Sequence, residues 1–338
     1  MNRKQSFVVK CLGLTGVILG LSGCFDQGAK EEATESQDTV TLGVSIARND
    51  DNSPFLQAYY QGFVENAKQN PKISLLIDDA KNDQDNQFAQ LDEMIKKGAK
   101  GLAINLVERK RGGESIARYC GKVHLVYISN PGEREMASCE KTYRVMTDDF
   151  SGGVVLGNEI LKQWKSNPSW DKNGDQSIQM AIIASRRTDS GLGDNIEWAL
   201  ETMTRSPDVA VNIEQVLEGH ALYQTSVARN VAEEWLQDPR FPEVELVIAG
   251  SDSMAFGLLE VFKANNVNLP IFSFDALPEA KRAMERGEIR YTVEANVGEE
   301  TRVALLVLEN LSRGLPPEHQ LRYPIKDREI RVPVKGAR

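Results

Sequence analysis

Glu245-Leu246-Val247-Ile248-Ala249 ends in four consecutive apolar side chains, and a second short strand-like run, Ile271-Phe272-Ser273-Phe274, apolar but for Ser273, follows some twenty residues later. A strand with one wet face alternates apolar and polar residues, whereas an unbroken apolar run suits a strand covered on both faces. Between the two runs lies an amphipathic stretch, 253–264, of helical period. Strand, helix, strand is the βαβ unit, and it implies a parallel sheet with helices packed on it.

The same alternation extends in both directions. Strand-like runs occupy 40–46, 73–77, 101–106, 123–129, 143–146, 178–184, 211–217, 245–249, 271–274 and 289–293. Helical patterns fill 55–69, 86–97, 152–164, 196–204, 226–237, 253–264 and 299–312. About ten strands exceed what one ordinary sheet carries, so two doubly wound α/β lobes are expected. Asn130-Pro131-Gly132 closes a strand with turn residues and is read as the first boundary between them.

The composition is that of a globular chain: 338 residues, 41% hydrophobic, 26% charged, with a formal net charge of −9. An acidic chain without a basic cluster is a poor polyanion binder, so nucleic acid is not an expected partner. Only three histidines occur, His124, His220 and His319. There is no Gly-x-Ser-x-Gly elbow, phosphate-cradling Gly-Lys loop or His-Glu-x-x-His pair, and a binding protein is expected rather than an enzyme.

The N-terminus reads as an export signal. Arg3, Lys4 and Lys10 precede a short apolar run, 11–21, and then Leu21-Ser22-Gly23-Cys24. This ending resembles a bacterial lipoprotein signal, in which residues 1–23 are removed and Cys24 is acylated. The protein would then be held on a bacterial membrane by acyl (palmitate-type) chains and face the periplasm or cell exterior. Residues 24–38 are polar and charged and read as a flexible tether. Cys120 and Cys139 remain in an oxidising compartment, where a disulfide is expected; two buried free thiols are the alternative.

Three segments, Gly98-Ala99-Lys100-Gly101-Leu102-Ala103-Ile104-Asn105-Leu106-Val107, Trp170-Asp171-Lys172-Asn173-Gly174-Asp175 and Phe274-Asp275-Ala276-Leu277-Pro278-Glu279-Ala280, together resemble the bacterial galactose/glucose-binding proteins of the periplasmic sugar-binding family. The resemblance implies a type I periplasmic-binding-protein fold, two lobes joined by a three-segment hinge. On this reading 39–130 with 296–322 form the N-terminal lobe, and 131–295 with 323–338 the C-terminal lobe. It also implies capture of a sugar or sugar-like molecule between the lobes, with delivery to an ABC permease or presentation to a chemoreceptor.

The family's cleft positions transfer one by one. Asp51, Phe55, Asn105 and Asp275 match an acidic grip, an aromatic platform, a strand-end Asn and the Asp that opens Asp-Ala-Leu-Pro. Elsewhere the pattern changes. The places of a His, an Asp and an Arg hold Asp189, Gly191 and Asn195, a stacking Trp becomes Tyr223, and two Asn positions become Ser251 and Ala295. Arg186 and Arg187 lie in the same loop as Asp189. A site that loses groups made to pair with hydroxyls discriminates differently, so a ligand other than glucose or galactose is expected. Asp252 reads as the N-cap of the helix over 253–264.

Asp171, Asn173, Asp175, Ser177 and Gln179 recur at every second residue, the spacing of oxygen donors in a calcium loop, with Ser177 contributing its carbonyl. The resemblance adds Glu245 as a distant ligand to a structural Ca2+. Position six, usually Gly, is Gln176, while Gly174 stands at position four.

Overall fold

The computed structural model describes residues 39–50, 53–185, 192–206 and 212–335. The chain begins with β1 (Val40–Ile46), α1 (Pro54–Gln69), β2 (Ile73–Asp79), α2 (Gln84–Lys96), β3 (Gly101–Ile104), α3 (Gly112–Tyr119), β4 (His124–Tyr127), α4 (Glu133–Ala137) and β5 (Thr142–Thr147). It continues through α5 (Asp149–Ser166), β6 (Ser177–Ala184), α6 (Asp194–Arg205), β7 (Asn212–His220), α7 (Thr225–Gln237), β8 (Leu246–Ala249), α8 (Asp252–Ala264), β9 (Ile271–Phe274), α9 (Pro278–Glu285) and β10 (Tyr291–Val293). A last passage adds α10 (Val297–Ser312), β11 (Ile325–Lys326) and β12 (Glu329–Val332).

These strands form two sheets, ordered β11-β12-β5-β4-β3-β1-β2 and β10-β9-β8-β6-β7. All pairings are parallel except the β11–β12 hairpin. The strand-like runs are buried on both faces: every residue of β3, β8 and β9 is buried, Ser273 of β9 included. In the first sheet, α1 and α10 cover one face around Val44 and Phe63, and α2 and α3 cover the other around Leu102 and Tyr119. In the second sheet, α7, α8 and α9 pack on one side and α5 and α6 on the other.

Local signals start the helices where the sheets need them. Asp83 caps α2, its carboxylate accepting from the backbone N–H groups of Asp85 and Asn86 at 2.9 Å each. Pro54 occupies the first turn of α1, where its missing N–H is no loss. For α8 the N-cap is Ser251, not Asp252: the Ser251 hydroxyl accepts from the Met254 N–H, and Asp252 is the first helical residue.

The lobe boundaries differ from the sequence expectation at two of three crossings. The Asn130-Pro131-Gly132 turn leads into α4, not out of the lobe, and the chain stays with the first sheet until β5 has paired with β4 (Leu125 opposite Thr142). Residues 131–147 therefore belong to the first lobe, and the first crossing follows Thr147. Residues 325–332 also belong there, because β12 pairs with β5 (Glu329 opposite Arg144). Among the described residues after β12, Val334 and Lys335 join the second lobe. Val334 lies in its core, and the Lys335 N–H donates to the Glu294 carbonyl at 2.9 Å. Between β10 and α10 the chain returns to the first lobe, so the remaining crossing lies at residues 294–296. Cys120 and Cys139 form a disulfide, Cα–Cα 5.9 Å, that ties the end of α3 to the segment before β5 within the first lobe.

Helices α5 and α6 approach closely enough to require glycine. A Cβ on Gly153 would stand 2.4 Å from the Trp198 Cβ and 2.7 Å from the Asn195 carbonyl oxygen. Gly153→Ala is expected to lower unfolding stability by about 1–3 kcal/mol, the usual result of overpacking and here larger than the helix propensity gained. Chemical denaturation checks this; an equal or higher midpoint would contradict it.

Candidate ligand-binding site

Parallel pairing puts the carboxyl ends of the strands in each sheet on one side, and open α/β sheets bind ligands there. In the first lobe those ends deliver Ala47 and Arg48 after β1, Asn105 after β3, Ser129 after β4 and Thr147 at the end of β5. In the second they deliver Tyr223 after β7, Gly250 and Ser251 after β8, Asp275 after β9 and Ala295 after β10. Both sets line one cavity of about 520 Å³, within the range of small-molecule sites.

Of the residues expected in the cleft, Phe55, Asn105, Asn195, Tyr223, Ser251, Asp275 and Ala295 all line this cavity. Asp51, Arg186, Arg187, Asp189 and Gly191 lie outside the described residues, as does Cys24. Phe55 packs against the cores of both lobes and meets the Tyr59 ring edge-on at 5.3 Å. Asn105 is buried, and its Oδ1 accepts from the Ala47 N–H at 3.3 Å, joining the ends of β1 and β3. Its amide nitrogen has no partner among the described residues. Asn195 and Ser251 also carry capping work: Asn195 Oδ1 accepts from the Ile196 N–H at 2.9 Å, and Ser251 caps α8.

Backbone strain gathers at the cleft. Asp275 has φ +108° and Ala276 +51°; Leu222 and Tyr223 have +50° and +60°. A non-glycine residue in this region is strained by about 1–3 kcal/mol and persists only where its surroundings fix it. At Asp275 the fixing group is buried Asp252. Its Oδ2 accepts from the Leu277 N–H at 2.7 Å, and its Oδ1 accepts from the hydroxyls of Ser273 and Thr292. Thr292 Oγ1 in turn accepts from the Ala276 N–H at 3.0 Å. The role of Asp252 is thus to brace the turn that presents Asp275.

Three lining residues were not expected from the sequence: Tyr59 on α1 and, at the first crossing, Thr147 and Asp149. Behind them Glu300, fully buried at the start of α10, accepts from the Tyr59 hydroxyl and from Thr147 Oγ1 at 2.6 Å. One carboxylate thereby joins α1, β5 and the returning chain beside two crossings. Burial pushes the Glu300 carboxyl up, while those two hydroxyl donors pull it down. Burial, reinforced by the Asp252 charge, pushes Asp275 well up. Asp149 is pushed up to about 6, by burial first and then by Asp194. Arg48 and Arg109 line the cavity too; Arg48 is bridged to Asp50 at 2.9 Å, and Arg109 stands exposed. The signal that finds the missed residues is positional, since Arg48 and Thr147 sit within two residues of the end of a strand.

At the far end of β6 from the cleft, Asp171, Asn173 and Asp175 form a tight loop. Asp171 accepts from the Gly174 and Gln176 N–H groups at 2.7 and 3.0 Å, and Asp175 from the Ser177 N–H at 2.7 Å. Glu245 does reach the loop. Its two oxygens accept from the Lys172 and Gln179 N–H groups at 2.7 and 3.1 Å. Gln176 supplies the left-handed turn at position six itself, with φ +62°. Gln179 Oε1 is buried without a hydrogen-bond partner. Among the described residues, no three acidic, histidine or cysteine side chains converge as a metal cluster.

Two doubly wound lobes, three crossings and a single cavity walled by both sets of strand ends define the class of two-lobed proteins whose binding space lies between the lobes. The family model for the periplasmic binding protein domain matches residues 43–316, and the chain belongs to that family. The D-galactose/methyl-galactoside binding periplasmic protein of Haemophilus influenzae is 30% identical over 297 residues, 87% of this chain and 88% of that one. Two solved structures share the fold. One is an ABC transporter solute binding protein of Bacillus halodurans C-125 with bound myo-inositol, with TM-score 0.67 and 20% identity, covering 89% of this chain and 95% of that one. The other is a periplasmic solute binding protein of Actinobacillus succinogenes 130z with bound D-allose, with TM-score 0.69 and 16% identity, covering 87% and 96%. These relatives are binding proteins. Among the described residues no helix is long and apolar enough to cross a membrane.

The raised Asp149 carboxyl has a consequence for stability. The folded state keeps its proton to about pH 6, whereas an unfolded aspartate releases it near pH 4. Between these values the native state binds more protons, so stability falls as pH rises through the window and stays lower above it. Asn cannot ionise. Asp149→Asn is therefore expected to be more stable than the parent at pH 7 by about 1–2 kcal/mol, after allowing ~0.5 kcal/mol for the helix dipole at the start of α5. The gap should close near pH 4. Urea unfolding at both pH values checks this, and a variant less stable at pH 7 would contradict it.

Proposed function

We propose that this chain captures a sugar or sugar-like polyol in the cleft, leaves it unaltered, and presents the ligand-bound form to an ABC importer. The observation that carries the reading is the single cavity where Asn105 and Ser129 of one lobe face Asp275, Ser251 and Asn195 of the other. Such groups form paired hydrogen bonds with vicinal hydroxyls, and the rings of Phe55 and Tyr223 offer apolar faces to sugar C–H groups. The sugar-binding relatives support the same class of ligand. A molecule held by both lobes binds the shut arrangement better than the open one and shifts the population toward it.

A thermal-shift screen against hexoses, pentoses and cyclitols is expected to give at least one stabilising ligand. Asn105→Ala and Asp275→Asn should each weaken that ligand tenfold or more, about 1.4 kcal/mol. Absence of any shift across the panel, or chemical conversion of the sugar, would overturn the reading.

Calcium belongs to the same proposal as a structural ion. The donors would be Asp171, Asn173, Asp175, the Ser177 carbonyl, Gln179 and Glu245, an all-oxygen set suited to a hard cation. The orphaned Gln179 Oε1, beside a buried Glu245 carboxylate, supports the fit. Bound there, the ion would offset the desolvation of Glu245 and pin the loop to the start of β8. EDTA is expected to lower the melting temperature of calcium-loaded protein by several degrees, and Glu245→Gln to remove the response. A melting temperature indifferent to EDTA and to added calcium would contradict the assignment.

Lipid attachment at Cys24, with residues 24–38 as the tether, completes the proposed arrangement on the periplasmic side of a bacterial membrane. Cys24→Ser is expected to move the protein from the membrane pellet to the soluble fraction; unchanged pelleting would exclude acylation at that position.

A further inference from the structure

Behind the first-lobe wall of the cleft lies a buried amide network that direct ligand contact does not account for. Residues 105–108 follow β3 and belong to no helix or strand, yet they supply Asn105, Leu106 and Val107 to the cavity. Each backbone N–H of this segment is committed. Asn105 donates to the Ser45 carbonyl at 2.9 Å, and Leu106 to the Ser129 hydroxyl at 3.0 Å. Val107 donates to Gln87 Oε1 at 3.3 Å, and Glu108 to Gln84 Oε1 at 2.9 Å.

Gln84 and Gln87 stand one turn apart near the start of α2, which the Asp83 cap holds in place. Both are buried, Gln87 completely, and neither lines the cavity. Gln87 uses every hydrogen-bonding position of its amide. Its Nε2 donates to the Asn105 carbonyl at 2.8 Å and to Ser45 Oγ at 3.2 Å, while its Oε1 accepts from Gln84 Nε2 at 2.9 Å as well as from Val107. The two backbone N–H groups fix which way each amide points, because only oxygen can accept from them. A buried amide is costly unless satisfied, and apolar side chains of similar length would simply extend the packing of Phe88 and Leu91 on the same helix. Both glutamines are instead directed at one segment of the cleft wall, a placement that suits the support of a binding surface.

That segment decides how Asn105 meets a ligand. Asn105 Oδ1 is taken by the Ala47 N–H, so the side chain offers its amide nitrogen; its backbone is gripped at the N–H by Ser45 and at the carbonyl by Gln87. We propose that Gln87, supported by Gln84, is a positioning residue for ligand binding, acting through the backbone of 105–108 to hold Asn105 where it grips the sugar. This rests on the sugar-capture reading and adds to it the side chains that make one wall of the site rigid before the ligand arrives.

Isothermal titration with D-galactose, D-glucose, D-allose and myo-inositol tests this in a double-mutant cycle of Gln87→Met and Asn105→Ala. Gln87→Met is expected to weaken the tightest of these ligands about tenfold or more when Asn105 is present, and about threefold or less when residue 105 is already Ala. Gln84→Met leaves the Gln87 bonds to 105 and 107 in place; it should show the same pattern with a smaller loss, and it carries the test if Gln87→Met does not fold. A residue that only stabilises the fold would lower the melting temperature and leave the affinity of the folded protein unchanged, or would weaken binding equally in both backgrounds. Either result would overturn the inference while leaving sugar capture standing. No binding of any of the four ligands by the unaltered protein would count against both.

Discussion

Strands buried on both faces must run in parallel if helices are to connect them, and from that constraint the binding space follows. In each lobe the carboxyl ends then gather on one side, where loops are free of the sheet's own hydrogen bonding. Three crossings, after Thr147, at residues 294–296 and after Val332, set the two groups of ends around one cavity. The Glu300 carboxylate ties α1, β5 and α10 together beside two of those crossings, so the floor of the cleft and the joint between the lobes share the same side chains.

Strain and buried charge concentrate where the ligand would sit. Asp275 is held in a left-handed turn that the Asp252 network braces, and Asp149 remains a poorly satisfied carboxyl at the head of α5. Each feature is destabilising by itself, by an amount comparable to a tenth or more of a domain's typical stability. The large apolar cores on both faces of each sheet supply the reserve against which such features can be kept.

Much of this was legible in the sequence because periodicity and chemistry agreed. All ten expected strands exist, two of them, Val40–Ile46 and Ile271–Phe274, at the expected limits. The cleft positions Phe55, Asn105, Asn195, Tyr223, Ser251 and Asp275 converge on one cavity. The misplaced boundary had a local cause. Pro131 and Gly132, the latter at φ +103°, make a turn that resembles an inter-lobe exit yet introduces the five-residue helix α4. That error hid Thr147 and Asp149, because the end of β5 was not recognised as an edge of the cleft. The β11–β12 hairpin was missed for a different reason. It is short and charged, and it turns on Asp327 and Arg328 at φ +51° and +65° without the usual glycine. The support of Asp275 by Asp252, and of Tyr59 and Thr147 by Glu300, joins residues 23 or more positions apart, which periodicity does not reach.

The central claim is that one small molecule is gripped by both lobes at once. Small-angle X-ray scattering of the protein, alone and saturated with a ligand found by thermal shift, measures this directly. A smaller radius of gyration with ligand, reversed when the ligand is dialysed away, is the result predicted. A tightly bound ligand that leaves the scattering profile unchanged would contradict it.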